Sequence, residues 1–293
     1  MCNLGKTLCM PFKVLCCLIL VSLFFTDCNN TDNAATAGAG SSGTDKDTVL
    51  SEEAAYANCY ENFFKGLPTW KDSATASLQL QNGQRVSAGQ FFTDEFMGPS
   101  SRYGEKDLDG DGTTELIFYN NTGGAHCCDD YTIFQKENNT DYKFRSHLTG
   151  SACIDAATSK FSFSFNEMLG YFFGCYACGF EDSTTAFRTL REIVLKYNGG
   201  KLEPVPYDAA AEKQNITNLE VLQKHGFEKL EDMMDNGWRK EFAMNIAVWH
   251  YNHGKDWPAT ENLFRRYYNF ADTEKIWNEF HTVLSEAGKD NTF

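Results

Sequence analysis

Asp107, Asp109 and Asp111 alternate through DLDGDGTTELIF (107–118), with Gly112 after the third aspartate and Glu115 three residues further on. Alternation lets successive carboxylates converge on one point, and a cation offsets their mutual repulsion. Oxygen donors in this number suit a hard ion such as calcium. Counted from Asp107, the aspartates take positions 1, 3 and 5 of a calcium loop. Gly112 takes position 6, where a sharp turn demands glycine, and Thr113 at position 7 offers its backbone carbonyl. An EF-hand requires a glutamate at position 12, which here is Phe118. Glu115 at position 9 closes the set instead, and the apolar run after it reads as a strand. A plain Asp/Gly turn needs neither the third aspartate nor the spaced glutamate. The expected ligands are Asp107, Asp109, Asp111, Thr113 and Glu115. No nucleophile stands near them, so the ion reads as structural.

Thiols offer the second chemistry. Six of the 11 cysteines lie beyond residue 28: Cys59, Cys127, Cys128, Cys153, Cys175 and Cys178. In an exported chain an even number reads first as disulfides, of open connectivity. A zinc reading competes. GGAHCCDD brings His126, Cys127 and Cys128 together, and GCYACG adds a knuckle at Cys175 and Cys178. Thiol redox chemistry at Cys175–Cys178 comes third. Such a pair usually sits at a helix N-terminus, whose dipole lowers the thiol pKa, and the flanks LGYFFG and GFED carry no helical pattern. His250 and His253 in HYNHG, with Asp256, could hold a metal, but at a helix end they read as surface or helix-dipole partners. Asp129 and Asp130 beside His126 read as solvated acids. The nucleophile-elbow, H-E-x-x-H and P-loop patterns do not occur.

The elements that must carry these residues fall in order along the chain. The N-terminus places Lys6 and Lys13 before an apolar run at 14–26, which suits a signal peptide and is short for a membrane span. The run ends at FTDC, and a cysteine there resembles the lipidated cysteine of bacterial lipoproteins. On that resemblance 1–27 is a signal peptide and Cys28 carries lipid. A small, polar, Gly/Ser-rich stretch follows, so 28–50 is expected to be a flexible tether. Residues 51–67 read as a helix. SLQLQNGQRVSA reads as a hairpin about Asn82–Gly83. ELIFYNN, DYTIFQKEN and DYKFRSHL read as a meander, and IVLKY and KLEPV flank a turn at Asn198–Gly199–Gly200. FFTDEF fits helix and strand alike. From residue 215 helical spacing takes over, first as one or two short helices, then with Trp238, Phe242, Ile246 and Trp249 on one face. The fold expected is α+β: a β-rich domain over 51–210 and a helical C-terminal unit over 211–293.

The pattern D-x-D-x-D-G-x-x-[DE] ahead of a strand resembles the calcium loops of FG-GAP and VCBS-type repeats, found in integrin-like β-propeller blades. That likeness implies a blade-like hairpin pinned by calcium through the same five residues. DLDGDGTTELIF followed by GGAHCC is also similar to exported bacterial proteins that pair the two segments. A propeller needs several such loops, and one occurs here. With a net charge of −14 the chain repels phosphate backbones, which argues against nucleic acid. The reading is therefore a membrane-tethered, extracytoplasmic calcium-binding module with a protein or glycan ligand. The alternative is an exported hydrolase with zinc at the His-Cys-Cys and Cys-x-x-Cys segments.

Overall fold

Residues 59–67, 76–95, 101–121, 129–180, 186–230 and 234–293 are described by the computed structural model. Their strands are β1 Ser77–Gln79, β2 Arg85–Ser87, β3 Arg102–Lys106, β4 Glu115–Asn121, β5 Asp129–Lys136, β6 Asp141–Ile154, β7 Phe161–Ser164, β8 Glu192–Asn198 and β9 Lys201–Pro204. Seven strands lie in the order β3-β4-β5-β6-β7-β8-β9, each antiparallel to the next. The β1–β2 hairpin adds its first strand parallel to the start of β6. Strand β6 is long enough to serve twice. Its N-terminal part pairs with β5, and its last four residues, 151–154, pair with β7.

The helices are α1 Cys59–Lys65, α2 Ala88–Glu95, α3 Asn166–Leu169, α4 Ala209–His225, α5 Trp238–Asn252, α6 Trp257–Tyr267 and α7 Thr273–Asp290. The expected α+β class with an antiparallel sheet is what forms. Strand β4 shows why its sequence reads as one apolar run: it is buried on both faces. Leu116 and Phe118 meet Phe91 and Phe92 of α2 in a small cluster, while Ile117 and Tyr119 enter the main core. Strand β8 alternates, with Ile193, Leu195 and Tyr197 inward and the residues between them exposed.

Helix α5 is enclosed on nearly every side, and the main core runs from the strands through it into α6 and α7. The change of character expected near residue 210 falls between β9 and α4. The segment read as one or two short helices is a single helix that starts earlier, because the Asp208 side chain caps it by accepting the Ala211 N–H at 2.8 Å. FFTDEF falls mostly in α2. Asp256 caps α6 in the same way as Asp208, with Pro258 in the first turn. The expected signal, the tether, Cys28, His126, Cys127 and Cys128 lie outside the described residues, as does the start of the helix expected at 51–67. Among the described residues no helix is long and apolar enough to cross a membrane.

Candidate functional site

Strands β3 and β4 form a hairpin, with Lys106 paired to Glu115, and the aspartate loop joins them. Gly110 and Gly112 have φ of 79° and 87°, which coils the loop so that its amides turn inward. Asp107 accepts the Gly110 N–H on Oδ1 at 2.7 Å and the Gly112 N–H on Oδ2 at 2.9 Å. Asp109 accepts the Asp111 N–H on Oδ1 at 3.3 Å. Its Oδ2 accepts the Gly199 N–H at 2.9 Å, so the loop is fastened to the β8–β9 turn. Asp111 is exposed and accepts the Thr113 N–H at 2.6 Å.

Carboxylate oxygens of Asp107, Asp109 and Glu115 lie within 4.8 Å of one another. At that distance two ionised carboxylates repel by roughly 3 kcal/mol in a partly solvated site. Among the described residues no salt bridge reaches any of the three. Glu115 is fully buried at the start of β4. Its Oε2 accepts the Leu108 N–H at 2.9 Å, while its Oε1 has no partner. Burial, then the charges of Asp109, Asp111 and Asp107, push its pKa up to about 7 against the pull of the Leu108 hydrogen bond. From β8 the buried Tyr197 hydroxyl, also without a partner, is pushed well above its ordinary pKa by burial and next by Glu115. Of the five expected ligands the structure brings together the carboxylates of Asp107, Asp109 and Glu115. Asp111 stands outside that group, and the Thr113 amide donates to Asp111 and not to the three.

Four of the six expected disulfide cysteines are paired. Cys59–Cys153 ties α1 to β6 across 94 residues, and Cys175–Cys178 closes within its own turn. With those two sulfurs bonded to each other, the knuckle offers no thiolate for zinc in this structure.

The side chains read as peripheral are not all so. His250, expected at the surface, is only 2 % exposed, because α5 is enclosed by α4, α6 and the sheet. The Thr260 hydroxyl donates to the Asp256 carbonyl, so His250 Nδ1 donates to Thr260 Oγ1 at 2.7 Å. Burial lowers the His250 pKa to about 4. His253 stacks on Trp249, and Asp256 is the α6 cap, so the three form no common site. Asp129 and Asp130, expected to be solvated, are half-buried on opposite faces of β5. Asp129 accepts the Tyr119 hydroxyl at 2.8 Å, and burial raises its pKa. Asp130 meets His147 Nε2 at 3.0 Å on the wall of a cavity of about 610 Å³ floored by Phe91, Phe134 and Phe144. Sequence reasoning missed His147. Its only signal was parity: Thr132 of β5 pairs with His147 of β6, which places Asp130 and His147 on one face.

No protein-family model matches the chain, and no curated protein and no solved structure matches it at a significant level.

Proposed function

We propose that the loop at 107–115 binds calcium and that the ion pins the β3–β4 hairpin to the β8–β9 turn. The observation that carries this reading is Glu115: a fully buried carboxylate with one free oxygen, grouped with Asp107 and Asp109, and with no salt bridge to any of the three among the described residues. Leaving such a group unpaired is costly, and a divalent ion is the partner that three converging carboxylates suit. The finer reading of a blade-like calcium hairpin rests on the same residues. Around this ion we place a binding module, tethered outside the cytoplasm through a lipid on Cys28. The cavity beside His147 and Asp130 offers a recess for a protein or glycan group. The hydrolase alternative is the weaker one, since Cys175 and Cys178 are bonded to each other.

The test is a thermal melt of the purified protein in graded calcium, beside Asp109→Ala. An ion bound only by the folded state raises the midpoint with concentration. The wild type is expected to respond and the variant is not. If neither midpoint moves, the loop is an acidic turn and the calcium reading fails.

A further inference from the structure

We propose that Cys175–Cys178 is a redox-active disulfide that exchanges with thiols on polypeptide substrates, at a site separate from the calcium loop. The pair is half-exposed on the wall of a cavity of about 490 Å³ that Met234 and Asp235 also line. Two residues separate the cysteines, so the bond constrains the unfolded chain far less than Cys59–Cys153 does. Its placement suits chemistry better than stapling.

The local sequence lacks a helix at the pair, and the fold supplies one from elsewhere. Gly237, the N-cap of α5, packs against Cys178 with φ of 94°. A Cβ there would lie 3.0 Å from the Cys178 carbonyl carbon and oxygen, a tight approach at a left-handed φ, and both favour glycine. From the first turn of α5, buried Lys240 donates to the carbonyls of Cys175 at 3.1 Å, Tyr176 at 2.9 Å and Cys178. A helix N-terminus and an ammonium group therefore both stand at the turn that carries the sulfurs, and both favour a thiolate. Burial, then Arg191, lowers the Lys240 pKa, and a neighbouring thiolate would relieve that. Asp235 opposes the effect weakly, because it is paired with Arg239 at 2.8 Å and caps the Gly237 and Arg239 amides. Glu228 and Lys229 on the same wall carry opposite charges.

The rim indicates the substrate. The exposed large apolar side chains among the described residues are Tyr171, Val194, Phe227 and Met234. Tyr171 packs on Tyr176 inside the turn, Met234 lines the cavity, and Phe227 precedes Glu228 on its wall. Apolar peptide segments bearing cysteine fit such a rim. A substrate thiolate attacks one sulfur, the Cys175–Cys178 bond breaks, and its electron pair leaves on the other sulfur as a thiolate near Lys240. A second substrate thiol, deprotonated, attacks the mixed disulfide and releases the first cysteine. Two electrons pass from the substrate dithiol, which becomes a disulfide, to the cysteine pair. A small-molecule disulfide such as oxidised glutathione returns the pair to its starting state.

The experiment equilibrates the full protein in graded mixtures of reduced and oxidised glutathione, quenches with acid, alkylates, and maps each cysteine by mass spectrometry. Cys175–Cys178 is expected to open in mixtures that leave Cys59–Cys153 closed. In Lys240→Met the midpoint is expected to move about tenfold toward reducing mixtures, because the thiolate form loses its cation. The pH dependence of alkylation of the reduced wild type serves where that variant does not fold. A thiol pKa below the ordinary value of about 8.5 supports the proposal. If both disulfides open together, or the thiol pKa is ordinary or higher, Cys175–Cys178 is a structural link and the proposal is overturned.

Discussion

Glu115→Gln separates an ion site from an acidic turn, because the two make opposite demands on stability. Without an ion, the folded chain holds Glu115 at a pKa of about 7 against an ordinary value of 4.5. The folded state binds that proton more tightly than the unfolded state does. The group's contribution is therefore whole below pH 4.5 and is lost as pH rises through about 7. The shift makes the full loss about 3 kcal/mol. Glutamine keeps an oxygen for the Leu108 N–H and can turn its NH₂ toward Asp107 and Asp109, so it carries no such loss. At pH 8, after metal removal on a chelating resin, the variant is expected to melt above the wild type by roughly 5–10 °C. Calcium at a hundredfold excess over its dissociation constant then raises the wild type by about 2.7 kcal/mol and leaves the variant where it was. At pH 5 the two chains should melt alike in both buffers.

The wild-type pH profile alone hides this. His250 falls from an ordinary pKa of 6.5 to about 4 on folding, so its contribution is whole above pH 6.5 and is lost as pH falls through 4. The two windows overlap with opposite sign, and only the difference between the chains isolates Glu115. The assay is circular dichroism melting at four pH values, with and without calcium. Were the ion-free variant less stable than the wild type at pH 8, and calcium to raise both equally, Glu115 would be a turn acceptor and the ion would lie elsewhere.

Other outcomes test the neighbouring physics. His250→Gln keeps a donor for Thr260 and removes the titrating ring. Its stability should lack the acid-side decline below pH 6.5, worth about 3 kcal/mol when complete, as read from urea titrations at pH 4 and pH 7. Replacing Cys59 and Cys153 together by serine frees a loop of 94 residues, which by chain entropy should cost about 4–5 kcal/mol in denaturant titrations. A loss under 1 kcal/mol would show that α1 is held by packing alone.

What the sequence reveals of this fold is what a short window contains. Strand β8 announces itself because Ile193, Leu195 and Tyr197 alternate with exposed residues, and the aspartate loop because its spacing is itself the geometry. Contacts between distant segments have no such trace. The loop's bond to Gly199 spans 90 residues, and Lys240 reaches the Cys175–Cys178 turn across more than 60. His250 reads as a helix-end residue because Asn252, His253 and Gly254 follow it closely, and its burial depends on distant elements, among them α6, which lies against it through Trp257 and Thr260. The cysteine pair shows the consequence most clearly. A helix dipole acts through space, so a helix at 238–252 can serve cysteines at 175 and 178 once Gly237 lets the backbones touch. A sequence criterion that asks for the helix next to the cysteines tests chain order, whereas the chemistry depends only on the distance.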